Sequence, residues 1–371
     1  MLSNVYDRTV QYLTDGGTRL KLTLPPFLFV SAKLGSGRRS SLAVTVRQHG
    51  LKVPEVPLIK RWLTFGLIVV AVFAGSCRRA GLQSGEGYVD VPGGRIWYRI
   101  VGTGTRTPVV LLHGGPGAPS YYLNPLEKLA DERPIVFYDQ LGAGRADKST
   151  DINLWRVERF VEELARLRTA LGLTQVHILG HSWGTMLAAD YMLTKPAGVR
   201  SLIMASPALS VSRWLKDAET LKRTLPESTQ AAIAKHESAG TFDSPEYQAA
   251  VMEYYKRYLC RRDPWPDDVN RTFAELGQSV YGTMWGPSEF TATGSLRTYE
   301  RAEQLRALTL PVLFTAGRYD EATPATTEYY RGLVPGARLR IFENSAHLTM
   351  QDEPDVYVEV VREFLREVES R

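Results

Sequence analysis

The chain has 371 residues, of which 44% are hydrophobic, 23% charged and 10% aromatic, a mixture that excludes collagen-like, low-complexity and wholly disordered polymers. Two cysteines, Cys77 and Cys260, are too few for a disulfide scaffold and lack the paired spacing of a structural zinc site, and no uninterrupted apolar run reaches the length of a polytopic protein's spans. The formal net charge of +5 misleads: residues 1–80 hold 12 basic and 3 acidic side chains while the remainder holds 33 and 37, so the body is mildly acidic, carries no basic stripe, and no nucleic-acid partner is expected.

Residues 1–57 scatter Gly, Ser, Arg and Pro without a sustained period of 3.6 or 2.0, and are expected to be a non-native or disordered extension. Lys60-Arg61, the apolar run Leu63–Ala74 and Gly75-Ser76-Cys77 then give a positive flank, a short apolar core and small residues, the pattern of a secretory signal over 58–77. Its end resembles a bacterial lipobox, with Ala74 where a larger aliphatic residue is usual. The expectation is an exported protein, periplasmic or extracellular or tethered to a membrane through a lipidated Cys77. An internal anchor and a buried strand are the alternatives, and without a working signal the protein would be cytoplasmic.

Gln83–Gly87 reads as a linker, followed by strand-like runs at Tyr88–Val91 and Ile96–Val101 around a Pro-Gly-Gly turn. Pro108–Leu112 and Ile135–Tyr138 are continuous apolar runs, the first ending in His113-Gly114-Gly115-Pro116-Gly117, the second in Asp139-Gln140. Val157–Leu171 carries apolar residues at helical spacing and stops at Gly172. Val176–Leu179 reads as a strand, Thr185–Leu193 as a helix and Ser201–Ala205 as a strand. From Ser210 to about Arg306 the pattern is helical, polar and rich in aromatics. The alternation then resumes with strand Val312–Ala316, helix Ala325–Leu333, strand Leu339–Phe342 and a closing helix Val356–Val368. Buried strands alternating with amphipathic helices argue for an α/β fold, a mainly parallel doubly wound sheet with a core over 85–207 and 307–371. The helical cap inserted over 208–306 is placed to cover the carboxyl ends of the strands, where such sheets bind ligands.

Gly180-His181-Ser182-Trp183-Gly184 matches G-x-S-x-G between a strand and a helix, the setting in which the glycines let the chain reverse around a strained, exposed serine. A structural glycine turn is the plain alternative. A serine hydroxyl needs a base, and the base an orienting acid. Of six histidines, His49 lies in the doubtful leader, His177 and His181 belong to the elbow, and His236 sits in the polar insertion. His347, in the loop after the last strand, remains the candidate base. The acid should lie between them in chain order, and Asp320 fits; its neighbour Glu321 is the alternative. Ser182…Asp320…His347 is the α/β-hydrolase order. The oxyanion needs two donors: the N–H of Trp183, after the nucleophile, and the N–H of Gly115, in the glycine-rich loop 113–117.

At these residues the chain resembles the proline iminopeptidases, serine aminopeptidases of the α/β-hydrolase fold: H-G-G-P-G at 113–117, D-Q-x-G-x-G-R at 139–145, G-H-S-W-G at 180–184, G-x-x-D at 317–320 and S-A-H-L-T at 345–349. Met284–Phe290 resembles a cap segment of the tricorn-interacting-factor branch. The resemblance covers about residues 85–370, with Leu141 standing where many members have Arg. It implies removal of an N-terminal residue, preferably proline, from short peptides through an acyl-enzyme, without metal or other cofactor. It also implies a cap glutamate that binds the substrate ammonium: Glu289 is the first candidate and Glu253 the second, each with a solvated helix face as its bland alternative. Trp285, Tyr255 and Phe290 are candidates to pack on the prolyl ring, against the plainer expectation of cap core. Asp139 and Gln140 are expected to brace the loops around the site. An esterase or amino-acid amidase with the same triad is the nearest competing activity. A catalytically dead binding module is disfavoured because all three triad positions are filled.

Overall fold

The computed structural model describes residues 9–13, 19–23, 29–34, 42–47 and 82–371, and the chain divides into two units, Met1–Arg78 and Arg79–Arg371. In the first, β1 (Thr9–Leu13) pairs antiparallel with β2 (Arg19–Thr23), and β3 (Phe29–Leu34) with β4 (Leu42–Arg47). These strands depart from the expectation of an extension without structure. Their alternations, such as Leu42-Ala43-Val44-Thr45-Val46-Arg47, are real but too short to register as a sustained period. The signal-like segment 58–77, with Cys77, lies outside the described residues.

The second unit opens with an antiparallel hairpin, β5 (Gly85–Val91) and β6 (Gly94–Val101). Here the linker reading of 83–87 is corrected: Gly85–Gly87 belong to β5, where Gly87 pairs with Tyr98 and a Cβ on it would lie 2.8 Å from the Tyr98 hydroxyl. The tyrosine ring covers the glycine and replaces the side chain that would otherwise mark a strand. β7 (Val109–Leu112), β8 (Ile135–Asp139), β9 (Val176–His181), β10 (Val199–Ala205), β11 (Val312–Gly317) and β12 (Arg338–Phe342) complete an eight-stranded sheet in the order β12-β11-β10-β9-β7-β8-β6-β5. Every pairing from β12 to β8 is parallel, and only the β5/β6 end is antiparallel. This is the α/β-hydrolase sheet.

The apolar runs are continuous because both faces are covered. Val110, Leu112, Val136, Tyr138 and Ile178 pack with Phe160, Leu164 and Leu167 of α1 (Val157–Ala170) and with Met186 and Leu187 of α2 (Trp183–Leu193). The alternate residues Val109, Leu111, Ile135, Phe137 and Leu179 face the other way. There they meet Leu123, Leu126 and Leu129 of the 3-10 segment Ser120–Asp131, together with Val361, Phe364 and Leu365 of the closing helix. Each such side chain contributes on the order of 1.5–3 kcal/mol when fully buried.

Between β10 and β11 the chain runs through α3 (Val211–Lys222), α4 (Glu227–Ala239), α5 (Pro245–Tyr258), α6 (Asp267–Ala274) and α7 (Gln278–Met284). The two ends of this excursion meet as an antiparallel bridge between Ser210 and Glu300. Tyr299 and Arg301 fasten that crossing to Asp190 on α2, at 2.6 and 3.0 Å. After β11 come α8 (Pro324–Leu333), then β12, α9 (Thr349–Asp352) and α10 (Pro354–Ser370).

The strand order reverses at β7, whose neighbours in the sheet, β8 and β9, lie on opposite sides of it. The loops leaving β7 and β9 therefore diverge and open a crevice at their carboxyl ends. Those loops carry 113–117 and Ser182; the ends of β11 and β12 carry Asp320 and His347.

Candidate active site

Ser182 has φ 55° and ψ −120° at the start of α2. Holding a non-glycine residue there costs energy, which the surrounding packing must supply. The glycines are sterically required: a Cβ on Gly180 would lie 2.3 Å from the Gly184 carbonyl oxygen, and one on Gly184 would lie 2.1 Å from that of Leu112. Gly114 brings the β7 loop against the serine, since its own Cβ would sit 3.1 Å from the Ser182 Cβ. Gly115 adopts φ 104°, which only glycine takes readily.

Asp320 is buried at the end of β11, and its carboxylate accepts from the N–H groups of Gly317 (3.2 Å) and Ala322 (2.7 Å) and from His347 Nδ1 (2.7 Å). That last bond fixes the tautomer, leaving the lone pair on His347 Nε2. The imidazole packs edge-on against Trp214 at 5.6 Å, and His347 and Ser182 line one cavity of about 600 Å³ beneath the cap. A second, small recess is bounded by Gly115, Ser182 and Trp183 together with Trp214, Trp285 and Glu289. It adjoins the two backbone N–H groups expected to receive an oxyanion.

A relay ties the β7 loop to the histidine loop. Gly114 N–H donates to the Tyr122 hydroxyl (2.8 Å), which donates to His181 Nδ1 (2.9 Å), while His181 Nε2–H donates to the His347 carbonyl (2.9 Å). Burial, followed by the neighbouring His347, pushes the His181 pKa well below its ordinary value, so the ring is neutral and the direction of the chain is set. The cap takes part as well: the Tyr258 carbonyl, at the end of α5, accepts from the N–H groups of both Glu321 and His347, at 3.3 and 3.1 Å.

Asp139 and Gln140 brace the loops. Asp139 accepts from Ser120 N–H and Oγ and from Arg145 N–H and Nε, at 2.7 to 3.0 Å. Gln140 accepts from Trp183 Nε1 at 2.9 Å, and its own N–H donates to His113 Nε2 at 2.9 Å. Burial holds His113 down to about 4, so it too is neutral. At the departure from the family pattern, the Leu141 side chain is buried and its N–H is held by Glu163 at 3.3 Å.

The two cap glutamates part company. Glu289 lines the cavity and accepts from the Tyr281 hydroxyl at 2.7 Å. Glu253 does not line it: on α5 the buried residues are Tyr247, Ala250, Val251, Tyr254, Tyr255 and Tyr258, and Glu253 turns the other way to an ion pair with Arg257 at 2.9 Å. The bland helix-face alternative describes Glu253. Of the three aromatics, Tyr255 lines the cavity, Trp285 lines the recess and Phe290 is cap core against Tyr254 at 4.8 Å.

Glu321 carries more than its weighing as an alternative triad acid suggests. It is buried, neither carboxylate oxygen makes a hydrogen bond of good geometry, and Oε1 lies 4.0 Å from His347 Nε2. Burial first, then Glu289 and Asp320, raises its pKa well above the usual carboxylate range; burial likewise raises that of Glu289. Two carboxylates beside a base, one of them faced only by the Tyr254 hydroxyl, form a site short of a cation. The adjacency of Asp320 and Glu321 was the available signal; that both acids have work was hidden because chain order asks for only one.

Residues 107–354 match the alpha/beta hydrolase fold family. The chain is 46% identical over 285 residues to the proline iminopeptidase of Heyndrickxia coagulans, covering 76% of this chain and 99% of that one. Among solved structures it is similar to VinJ, with TM-score 0.75, 38% identity and coverage of 77% and 99%. It is also similar to a proline iminopeptidase from Mycobacterium smegmatis, with TM-score 0.71, 34% identity and coverage of 76% and 98%.

Proposed function

The chain belongs to the proline iminopeptidase family of α/β-hydrolases and is a serine hydrolase of that type, a prolyl aminopeptidase; from that premise we propose how its own residues divide the work. Ser182 is the nucleophile. His347 Nε2 takes its proton as the hydroxyl attacks the scissile carbonyl, and Asp320 keeps the ring in the tautomer that can do so. The N–H groups of Gly115 and Trp183 receive the oxyanion. His347 returns the proton to the departing amine, and water, activated by the same nitrogen, hydrolyses the acyl-enzyme.

Glu289 and Glu321 hold the substrate ammonium, and the observation that carries this reading is the buried carboxylate of Glu321 beside His347 and Glu289, faced by the Tyr254 hydroxyl but by no cation. A prolyl nitrogen bears two N–H donors when charged, which two carboxylates satisfy. A primary ammonium brings a third donor whose burial without a partner costs about 1–3 kcal/mol. Proline is thus favoured over primary amines. A panel of aminoacyl-naphthylamides against wild type, Ser182→Ala and Glu289→Gln tests the division of labour. Ser182→Ala should abolish hydrolysis, and Glu289→Gln should lower prolyl turnover while sparing simple esters. Prolyl cleavage unaltered in Glu289→Gln would overturn the ammonium assignment.

Export is the finer part of the proposal, supported by the Lys60-Arg61 flank, the Leu63–Ala74 core and the small residues before Cys77. The mass of the mature N-terminus from the native host tests it. A chain beginning at a lipid-modified Cys77 is expected, and an intact Met1 would exclude it.

A further inference from the structure

We propose that the leaving-group side of this site selects peptides whose second residue is large and apolar, and that it makes no use of a terminal carboxylate. This rests on the ammonium site at Glu289 and Glu321, which places the charged end of the substrate. The cavity is lined by Phe242, Val251, Leu259, Phe273, Leu276 and Leu348, five of them from the cap. Its polar fringe is uncharged, with Gln248, Gln278 and Thr293 all exposed. Among the described residues no lysine or arginine lines it, and the one carboxylate that does is Glu289.

Size and charge then select together. Even at the roughly 30 Å³ that one water occupies in the liquid, more than a bonded heavy atom needs, the seven heavy atoms of a prolyl group take at most about 200 Å³. The cavity holds about 600 Å³, which leaves space for a residue as large as phenylalanine. A benzyl group in that space is removed from water, worth about tenfold or more in kcat/KM over a methyl. An acidic side chain or a free carboxylate at the same position meets negative charge and no counter-cation. The substrates favoured are therefore longer or amidated prolyl peptides with an apolar second residue.

The test compares kcat/KM for Pro-Phe-amide, Pro-Ala-amide, Pro-Asp-amide and the free acid Pro-Phe, with prolyl-naphthylamide as reference. Pro-Phe-amide should exceed Pro-Ala-amide by about tenfold or more, Pro-Asp-amide should fall below Pro-Ala-amide, and the free acid should fall below its amide. In Gln278→Arg, which places a cation on the rim, the ratio of free-acid to amide kcat/KM should rise above that of wild type. Equal rates across the series, or a free acid faster than its amide in wild type, would overturn the inference while leaving the aminopeptidase intact. Prolyl-naphthylamide turnover unaltered in Glu289→Gln, with the order of rates in this series kept, would instead overturn the ammonium assignment and leave the second-residue preference standing.

Discussion

Replacing Glu321 by Gln keeps shape and removes the negative charge that Glu321 presents to the substrate once it has given up its proton. Its Oε1 lies 4.0 Å from His347 Nε2, so a substrate nitrogen beside the scissile carbonyl stands within about 5 Å of it. At an effective dielectric near 20, unit charges about 5 Å apart attract by about 3 kcal/mol, and each 1.4 kcal/mol or so is tenfold in rate. The expected loss in kcat/KM for prolyl-naphthylamide is therefore about a hundredfold, measured by steady-state kinetics between pH 5 and 9. A p-nitrophenyl ester without an ammonium should change less than about threefold. The same substitution acts on stability with the opposite sign. Burial, Glu289 and Asp320 raise the Glu321 pKa in the folded state, so the folded protein holds this proton more tightly than the unfolded chain. The associated stability is complete below the ordinary glutamate pKa and is lost as pH rises through the folded value. Glutamine has no such loss, so Glu321→Gln should melt higher than wild type at pH 8, by a larger margin than at pH 5. A prolyl kcat/KM within threefold of wild type at all pH values would show that Glu321 does not bind the ammonium.

Tyr122→Phe removes the hydroxyl between Gly114 and His181, so kcat should fall about tenfold or more while KM is held, as expected when a positioning bond worth about 1–3 kcal/mol is lost. In Gly184→Ala the new Cβ meets the Leu112 carbonyl oxygen at 2.1 Å; urea unfolding should show a loss of about 3 kcal/mol or more. Glu253→Gln disturbs only the pair with Arg257 on the cap surface, and prolyl kcat/KM should stay within about twofold, because exposed pairs contribute about 0–1 kcal/mol.

Most of the architecture was legible because a doubly wound sheet writes itself as apolar runs: Val109–Leu112, Ile135–Asp139 and Val176–His181 are buried at every position. The elbow was legible for a steric reason, since no residue but glycine fits at 180 or 184. What stayed hidden depends on partners far along the chain. Gly87 reads as linker until Tyr98 covers it. The Ser120–Asp131 segment carries an internal proline and repeats Leu123, Leu126 and Leu129 every three residues, the 3-10 period and not the α-helical one. Glu253 looked attractive inside an aromatic stretch, yet its four-residue spacing from Arg257 and the opposite-face register of Tyr247, Tyr254 and Tyr258 already put it on the outside of α5. Glu321 shows the reverse case: two adjacent acids face the same histidine, one through Nδ1 and one near Nε2, and only the fold separates their tasks.

The most direct measurement is a crystal structure with a prolyl boronate. A covalent bond from Ser182 Oγ to boron is expected, with one boronate oxygen within about 3 Å of the Gly115 and Trp183 N–H groups and the prolyl nitrogen within hydrogen-bonding reach of both Glu289 and Glu321. An adduct on Ser182 whose prolyl nitrogen points away from both glutamates, or a boronate held by another residue, would contradict that expectation.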